Sequence, residues 1–334
     1  MKKAKIGLML GGGGAKGSYQ LGVVKALMEA GILKHVNSIS GTSIGAINTL
    51  LLMSKLTYKE MADIWADIDN SKVFATKGSL FNKESNRLYS IEPLARTLLQ
   101  RINMKNVQRS KYNGYATTAL MYDKASMFHQ ISTDSMEKKV WKLNDMEEPY
   151  LGVMASASIP VVFGPTKING LNYVDGGVLD NYPIQPLIDD GCNLIFAVPL
   201  DNKFKPELYD NKEVTIVNLT SKNVFENNII KDLIDTIKFE STYKEKLEDI
   251  GYLVGSLMTK KVKEQKIQSK FLWFDRFLIN EGFNLIDLNE DDEQAIKDYK
   301  LGLNPKLAAP EKNKEEIKQL ENKEVLELPM REEE

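Results

Sequence analysis

The chain has 334 residues, of which 43% are hydrophobic, and its 44 basic and 46 acidic side chains leave a formal net charge of -2. This composition predicts a globular protein and excludes a general electrostatic attraction to nucleic acid or to an anionic membrane surface. The single cysteine, Cys192, excludes an internal disulfide and has no partners at zinc-ligand spacing. No apolar run approaches the ~18–20 residues of a membrane-spanning helix. We therefore expect a cytoplasmic protein without a metal.

The hydrophobic pattern alternates between strands and helices from the start of the chain. It predicts a strand at 4–10, a helix at 17–30, a strand at 36–40 and a helix at 44–54. This order is typical of parallel βαβ units, and we expect a three-layer α/β/α sandwich with a mainly parallel central sheet. The elements predicted downstream are helices at 57–67, 91–100, 183–190, 225–251 and 292–301, and strands at 114–120, 126–131, 172–174, 193–199, 214–218 and 283–287.

A glycine-rich loop, GGGGAKG at residues 11–17, follows the first predicted strand. Such a loop presents backbone N–H groups beside the positive end of a helix, which suits an anionic oxygen. A dinucleotide-binding site would need an acidic residue near the end of the second strand, and none lies there. A P-loop would need Lys after the last glycine, whereas Lys16 precedes Gly17. The remaining interpretations are an oxyanion hole and a tight turn without a ligand.

The second predicted strand ends in Gly41-Thr42-Ser43-Ile44-Gly45, which fits the pattern G-x-S-x-G. The pentapeptide alone is weak evidence, because Gly and Ser are common residues. Its position between a strand and a helix is what a nucleophile elbow requires, since the glycines permit close contacts and the serine oxygen projects above the sheet. Because parallel strands end at the same edge of a sheet, we expect Ser43 to lie beside the glycine loop. The alternative is a turn serine that only caps the helix.

A serine hydroxyl needs a base that accepts its proton. His35 lies at the end of the second strand opposite to Ser43, and His129 lies in a run with strand alternation, so a Ser-His-Asp triad is not favoured. The remaining candidate is Asp175, which follows a short strand and precedes two glycines. A buried carboxylate without a counter-charge can serve as a base, because burial raises its pKa. The alternative is an Asp-Gly turn without chemistry.

Taken together, these motifs resemble the patatin-like phospholipase family. The resemblance covers roughly residues 5–200 and is specific, because five motifs occur in the family's order. These motifs are GGGAKG at 12–17, the elbow at 41–45, the small-residue segment ASASIP at 155–160, Asp-Gly-Gly at 175–177 and Asn-Tyr-Pro at 181–183.

The resemblance implies a Ser-Asp dyad that hydrolyses acyl esters of phospholipids, glycolipids or acylglycerols without metal or cofactor. It implies Ser43 as the nucleophile, Asp175 as the base, and an oxyanion hole at Gly12, Gly13 and Gly14. The positions implied to support these groups are Lys16, Gly17, Gly41, Gly45, Gly176 and Gly177.

Two positions depart from the family's pattern. Gly11 stands where many members have Asp or Ser, and Lys16 replaces the usual Arg. Lysine retains the positive charge but not the planar guanidinium, so the departure concerns bidentate anchoring and leaves the basic mechanism unaffected.

The predicted organisation has three parts. Residues 1–200 are expected to form the catalytic core, 201–305 to complete the α/β domain and supply lid or interface helices, and 306–334 to form a charged, flexible tail. The aromatic segment 271–279 is predicted to pack on the sheet, with a membrane contact or a cap over the site as alternatives. Apolar residues around the small-residue segment are candidates for an acyl channel or for the core: Leu151, Val153, Met154, Ile159, Val161, Val162 and Phe163.

The expected partner is a lipid or acyl-ester substrate, with peripheral membrane contact and without nucleic acid. Two other functions stay open from the sequence: a short-chain esterase or thioesterase, and a non-catalytic lipid-binding module on the same fold. The sequence does not indicate the head group, the acyl chain length or the oligomeric state.

Overall fold

A computed structural model describes residues 1–68, 91–122, 133–160, 162–225 and 239–303. The predicted strand at 126–131, which includes His129, lies outside the described residues. So do Val161, the tail at 306–334 and part of the predicted helix at 225–251.

The described residues form two β-sheets, a central sheet of nine strands and a small sheet of three. In chain order the strands are β1 (Lys2–Lys3), β2 (Ile6–Leu10), β3 (Val36–Thr42), β4 (Asn113–Met121), β5 (Met136–Lys142), β6 (Thr166–Ile168), β7 (Leu171–Asp175), β8 (Leu194–Val198), β9 (Thr215–Asn218), β10 (Gln268–Phe271), β11 (Phe274–Ile279) and β12 (Asn284–Ile286).

Most of the central sheet is parallel, as the βαβ pattern predicts. Strands β12, β9, β8, β2, β3 and β4 lie side by side in this order, and every neighbouring pair among them is parallel. Beyond them, β5, β6 and β7 form an antiparallel extension around β4. The sequence analysis did not predict β5 or β6.

The α-helices in the described parts of the chain include the two predicted first, at nearly the expected positions. In chain order they are α1 (Gly17–Glu29), α2 (Ile44–Met53), α3 (Tyr58–Asp67), α4 (Glu92–Arg101), α5 (Met104–Gln108), α6 (Pro149–Ser156), α7 (Gln185–Asp189), α8 (Ser241–Glu264) and α9 (Glu290–Lys300).

The central sheet is buried on both faces. All five residues of β2 are buried, and their side chains alternate between two hydrophobic clusters. Leu8 and Leu10 pack in the larger cluster with α1 and α2, whereas Met9 packs on the other face with Leu187 of α7. A strand covered on both faces needs apolar side chains throughout, which explains its almost uninterrupted hydrophobic run. The fold is therefore a three-layer α/β sandwich, and its thicker helical layer lies on the face that contains α1 and α2.

Helix α8 completes this thicker layer by packing closely against α1. A Cβ atom on Gly22 of α1 would lie 1.9 Å from the carbonyl oxygen of Glu248, and one on Gly251 of α8 would lie 2.0 Å from that of Tyr19. Because these two glycines lack side chains, the helix backbones can approach each other directly. The C-terminal part of the chain therefore contributes directly to the layer that supports the glycine loop.

The aromatic segment at 271–279 belongs to the β10–β11 hairpin and does not cap the predicted site. Strand β11 pairs with β1, and the Phe277 ring lies 5.2 Å from the His35 ring, centre to centre. His35 immediately precedes β3, whereas Ser43 follows that strand. The hairpin therefore lies near the edge of the central sheet opposite to Ser43, which contradicts a cap formed by this segment.

Candidate active site

The glycine loop and the pentapeptide that contains Ser43 lie at the same edge of the sheet, as expected. The loop begins directly after β2, and Ser43 directly follows β3. The two strands are parallel, and Leu10 at the end of β2 pairs with Gly41. Their carboxyl ends therefore open onto a common region, where α/β sheets usually bind ligands.

The backbone at Ser43 adopts an unusual conformation that its flanking glycines make sterically accessible. Ser43 has φ 57° and ψ -124°, and helix α2 begins at the next residue. A Cβ atom on Gly41 would lie 2.2 Å from the Gly45 carbonyl oxygen, and one on Gly45 would lie 2.0 Å from the Leu10 carbonyl oxygen. Side chains at both positions are therefore excluded by neighbouring backbone. This is the sharp strand–turn–helix geometry of a nucleophile elbow.

Asp175 reaches Ser43 because two strands meet end to end along one edge of β4. Thr117 of β4 pairs with Thr42 at the end of β3, and the adjacent Thr118 pairs with Asp175 at the end of β7. Strand β5 pairs with one side of β4 along both of these stretches, so β3 and β7 both pair with the other side of β4. Since β3 runs parallel to β4 and β7 runs antiparallel, their carboxyl ends point toward each other.

The Asp175 carboxyl group is buried, and the nearby Ser43 hydroxyl lowers its pKa. The residue is only 5% exposed. Burial raises the pKa of Asp175 from 3.8 to about 6, while the Ser43 hydroxyl and the Gly177 N–H hold it below the value that burial alone would produce. The Gly177 N–H donates to Oδ1 of Asp175 at 2.7 Å. A carboxylate in this setting can accept a proton at near-neutral pH.

Both glycines after Asp175 stand in tight surroundings. A Cβ atom on Gly176 would lie 2.3 Å from the Thr117 carbonyl oxygen, and one on Gly177 would lie 3.0 Å from Oδ1 of both Asp175 and Asn181. The first of these contacts is with backbone, so a side chain at Gly176 would force β7 away from β4. The Asp-Gly-Gly sequence thus allows the turn to stay close to the strand junction.

The backbone N–H groups of the glycine loop differ in their availability to a ligand. The Gly12 N–H donates weakly to the Asn181 carbonyl oxygen at 3.4 Å, and the Asn181 side-chain amide donates to the Gly12 carbonyl oxygen at 3.3 Å. Within the described ranges, the N–H groups of Gly13 and Gly14 have no backbone acceptor. These two groups are the readiest donors in the loop.

A buried polar network supports the glycine loop from below. The Gln20 amide donates to the Gly11 carbonyl oxygen at 2.8 Å, and the Asn48 amide donates to Gln20 at 2.8 Å and to the Gly17 carbonyl oxygen at 3.0 Å. The Trp65 indole N–H donates to Asn48 Oδ1 at 2.8 Å. The sequence analysis missed these residues, although Asn48 within an otherwise apolar helical run was a usable signal.

Lys16 and Gly17 connect the glycine loop to neighbouring parts of the fold. The Lys16 side chain is 3% exposed, its ammonium donates to the Leu200 carbonyl oxygen at 3.2 Å, and it lies 5.5 Å from the centre of the Phe225 ring. A Cβ atom on Gly17 would lie 2.4 Å from Cγ1 of Ile44. The lysine ammonium is therefore buried and contacts Leu200 and Phe225. Gly17 lets the start of α1 approach α2 closely.

The glycine loop, Ser43 and Asp175 line a cavity of about 380 Å³, and Ser43 is 7% exposed. The cavity lining contains both apolar and polar side chains. The apolar ones are Ile159, Pro160 and Val178, and the polar or charged ones besides Ser43 and Asp175 are Lys16, Asn181, Tyr182, Asp201 and Lys203.

Most of the residues considered for an acyl channel belong instead to the protein interior. Val153, Met154 and Phe163 are part of the larger core cluster, and Val162 packs against it. Leu151 lines a separate cavity beside β5, so of the described candidates only Ile159 faces the cavity that contains Ser43. Of the two interpretations that the sequence left open, core packing therefore applies to Val153, Met154, Val162 and Phe163.

The structure also bears on three alternatives considered from the sequence: a histidine base, a metal site and a membrane-spanning helix. His35 lies 3.4 Å from Asp275 at the opposite edge of the sheet, which removes it as a base for Ser43. The described residues contain no group of three or more His, Cys, Asp or Glu side chains arranged for a metal ion. In the same part of the chain, every helix is too short or too polar to cross a membrane.

Comparison with known proteins agrees with the motif-based resemblance. Residues 8–188 match the family model described as patatin-like phospholipase. Lysophospholipase nte1 of Aspergillus terreus is 29% identical over 200 residues, which are 58% of this chain and 12% of that protein. Lysophospholipase NTE1 of Cryptococcus neoformans var. neoformans is 30% identical over 195 residues, covering 58% and 11% of the respective chains. The chain thus spans only about an eighth of the length of these relatives.

Among solved structures, VipD from Legionella pneumophila superposes with a TM-score of 0.42 at 14% identity, covering 90% of this chain and 67% of that one. The family assignment depends on the sequence match, which extends from within β2 to within α7 and includes the glycine loop, the elbow and the Asp-Gly-Gly turn. On this basis, the chain belongs to the patatin-like phospholipase family.

Proposed function

We propose that this protein is a serine lipid acyl hydrolase, of the phospholipase A or lysophospholipase type, that cleaves fatty-acyl esters with a Ser43–Asp175 dyad. One observation supports the proposal above the others. The end-to-end meeting of β3 and β7 on β4 brings the Ser43 hydroxyl to a buried carboxylate whose pKa is raised to about 6.

The proposed reaction proceeds through an acyl-enzyme. Asp175 accepts the proton of the Ser43 hydroxyl as the serine oxygen attacks the ester carbonyl carbon. The tetrahedral intermediate collapses, the C–O bond to the alcohol breaks, and the alcohol leaves with the proton held by Asp175. Water then gives a proton to Asp175 and attacks the acyl carbon. The bond between this carbon and the Ser43 oxygen breaks, Asp175 returns the proton to that oxygen, and the fatty acid is released.

The glycine loop supplies the oxyanion hole in this proposal. Backbone N–H groups aimed at the developing negative charge stabilise the transition state, and losing one such donor typically costs about 100- to 1000-fold in rate. Gly12, Gly13 and Gly14 are the proposed donors. The N–H groups of Gly13 and Gly14 are available directly, whereas Gly12 must first release the 3.4 Å hydrogen bond to Asn181.

A carboxylate can replace the usual histidine because its surroundings adjust its pKa. A base works best when its pKa lies near the working pH, and a carboxyl group with a pKa of about 6 is closer to neutrality than one with the ordinary value of 3.8. The Ser43 hydroxyl and the Gly177 N–H limit the increase in the pKa of Asp175, so the group stays ionised and available as a base at pH 7.

A lipid substrate is supported by the family and by the named activity of the two fungal relatives. The cavity lining includes apolar residues that suit an acyl chain and polar or charged residues that suit a head group. A short-chain esterase or thioesterase would use the same dyad, so activity against a series of acyl chain lengths separates these alternatives. Cytoplasmic location, peripheral membrane contact and the three-part division at residues 200 and 305 stay predictions.

The test is labelling by a fluorophosphonate probe together with fatty-acid release from mixed phospholipid vesicles. Wild type is compared with Ser43→Ala, Asp175→Asn and the control Ser54→Ala, which removes a buried serine hydroxyl that donates to the Leu50 carbonyl oxygen in the last turn of α2. We expect Ser43→Ala to lose both signals, Asp175→Asn to lose about 100- to 10,000-fold, and Ser54→Ala to match wild type. Lipid binding that is unaffected by Ser43→Ala, in a wild type that releases no fatty acid and takes no label, would instead indicate a binding module.

A further inference from the structure

The small-residue segment at 155–160 has no chemical role in the mechanism above, yet it contacts both dyad residues. Ser156 is the last residue of α6 and is completely buried. Its hydroxyl accepts a hydrogen bond from the Ser43 N–H at 2.9 Å and donates one to the Thr117 carbonyl oxygen at 2.6 Å. Two residues later, the Ser158 carbonyl oxygen accepts a hydrogen bond from the Asp175 N–H at 2.9 Å.

The Thr117 carbonyl oxygen marks the junction where the dyad is assembled. Thr117 is the last residue of β4 to pair with β3, and the next residue is the first to pair with β7. The Cα atom of Gly176 also packs near this oxygen, since a Cβ atom there would lie 2.3 Å from it. The Ser156 hydroxyl therefore connects the nucleophile's backbone to the point where both strand ends meet.

We propose that Ser156 is a positioning residue whose hydroxyl fixes the backbone of Ser43 and thereby aims the Ser43 hydroxyl at Asp175. This inference rests on the proposed function, because it concerns the same nucleophile. It assigns a role to a side chain that neither touches the substrate nor lines the cavity.

The physical basis is the cost of holding Ser43 at φ 57°. A non-glycine residue in this region is strained and stays there only when its surroundings hold it. The Ser43 N–H has Ser156 as its acceptor, and that acceptor is itself oriented by its bond to Thr117. Replacing the hydroxyl with hydrogen leaves a buried N–H and a buried carbonyl without partners, which favours movement of the turn toward other partners.

Movement of this turn affects catalysis more than it affects substrate binding. A displacement of the reacting oxygen by ~1 Å can reduce the rate about 100-fold, because proton transfer and attack both require alignment. Ser156 does not line the cavity, so substrate contacts are retained. The expected result for Ser156→Ala is a 10- to 100-fold loss in the fluorophosphonate labelling rate and in kcat, with less than about a threefold change in KM.

A second readout separates positioning from a general loss of stability. The Ser43 hydroxyl lowers the pKa of Asp175, so a misdirected hydroxyl allows that pKa to rise. The acid limb of the labelling rate against pH should therefore move to higher pH in Ser156→Ala. A residue that only contributes to folding would lower the melting temperature and leave both kcat and the pH profile of the folded protein unchanged.

The experiment compares wild type, Ser156→Ala, Ser156→Thr and Ser54→Ala, well below the melting temperature of each. A soluble p-nitrophenyl ester gives kcat and KM, and the fluorophosphonate gives the labelling rate. Ser156→Thr keeps the hydroxyl and is expected to recover labelling relative to Ser156→Ala, while Ser54→Ala should label as wild type does.

Wild-type labelling and an unshifted pH profile in folded Ser156→Ala would overturn the positioning role and leave the proposed function intact. A change confined to KM would also overturn it, because it would place Ser156 in substrate binding. A wild type that takes no label and releases no product would overturn the proposed function, and the positioning role with it.

Discussion

Lowering the pH is expected to stop reaction at Ser43 with a midpoint of about 6, the pKa to which burial raises Asp175. In the proposed mechanism the ionised carboxylate accepts the serine proton, so the rate is expected to follow the ionised fraction of this one group. Because its pKa is raised, the base is lost at a higher pH than an ordinary carboxylate would be. The prediction therefore fixes both the direction and the position of the acid limb.

The expected magnitude is largest near pH 5. A group with a pKa of about 6 is roughly a tenth ionised at pH 5 and about a hundredth ionised at pH 4, whereas a carboxyl group at its ordinary 3.8 would be more than about nine-tenths ionised at pH 5. The labelling rate of wild type should therefore fall about tenfold between its plateau and pH 5. Below the midpoint, the logarithm of the rate should decrease with a slope of about one per pH unit.

The assay is the second-order rate constant for fluorophosphonate labelling from pH 4 to pH 9, with circular dichroism at each pH to confirm that the protein stays folded. Asp175→Asn is the matched variant, since its residual labelling should show no midpoint near pH 6. A folded wild type that keeps nine-tenths of its plateau rate at pH 5 would refute the assignment of a buried, high-pKa base. So would an acid limb at pH 6 that persists in Asp175→Asn.

Three other substitutions test the surroundings of the dyad. Asp175→Asn should increase the free energy of unfolding by at most about 3 kcal/mol at pH 8, because a folded pKa above the unfolded value destabilises the fold at pH values above both. Urea titrations should show this gain at pH 8 and its disappearance near pH 4; an equal gain at both would contradict the buried charge. Gly45→Ala should abolish labelling and lower the melting temperature, because its Cβ would lie 2.0 Å from the Leu10 carbonyl oxygen. A melting curve like that of wild type would contradict this steric constraint. Asn48→Ala should lower the free energy of unfolding in urea by about 1–3 kcal/mol, because Trp65 and Gln20 lose their hydrogen-bond partner. An unchanged free energy of unfolding would contradict a supporting role for this network.

The sequence was sufficient to predict the parts of the fold whose pattern is local. The alternation of strand and helix periods gives the parallel βαβ units, and the glycine loop and elbow fall at strand ends because their glycines interrupt those periods. The family assignment and the α/β sandwich were predicted correctly from these motifs. The close position of the glycine loop and Ser43 followed from topology alone, since consecutive parallel strands end at the same edge.

Elements that depend on distant partners were not predictable in the same way. Strand β1 has only two residues, and its partner β11 lies more than 270 positions later in the chain. No local period indicates such a pairing, so the aromatic hairpin could be considered as a cap although it lies near the opposite edge. Helix α6 was read only as a small-residue segment with apolar neighbours, because its helical pattern is short and apolar on all sides.

The relative position of Ser43 and Asp175 is the feature of the candidate site whose geometry the sequence indicates least. The sequence indicates that each residue follows a strand, but it does not indicate how those two strands are oriented relative to each other. In the structure, β3 and β7 approach along one side of β4 from opposite directions, and their registers place Thr42 and Asp175 against consecutive residues of β4. A shift of β7 by one residue would turn Asp175 to the other face of the sheet. The site therefore depends on a register that is set by β4, the tight Gly176 contact and the Asp175 N–H bond to Ser158, and no motif spacing encodes these three contacts.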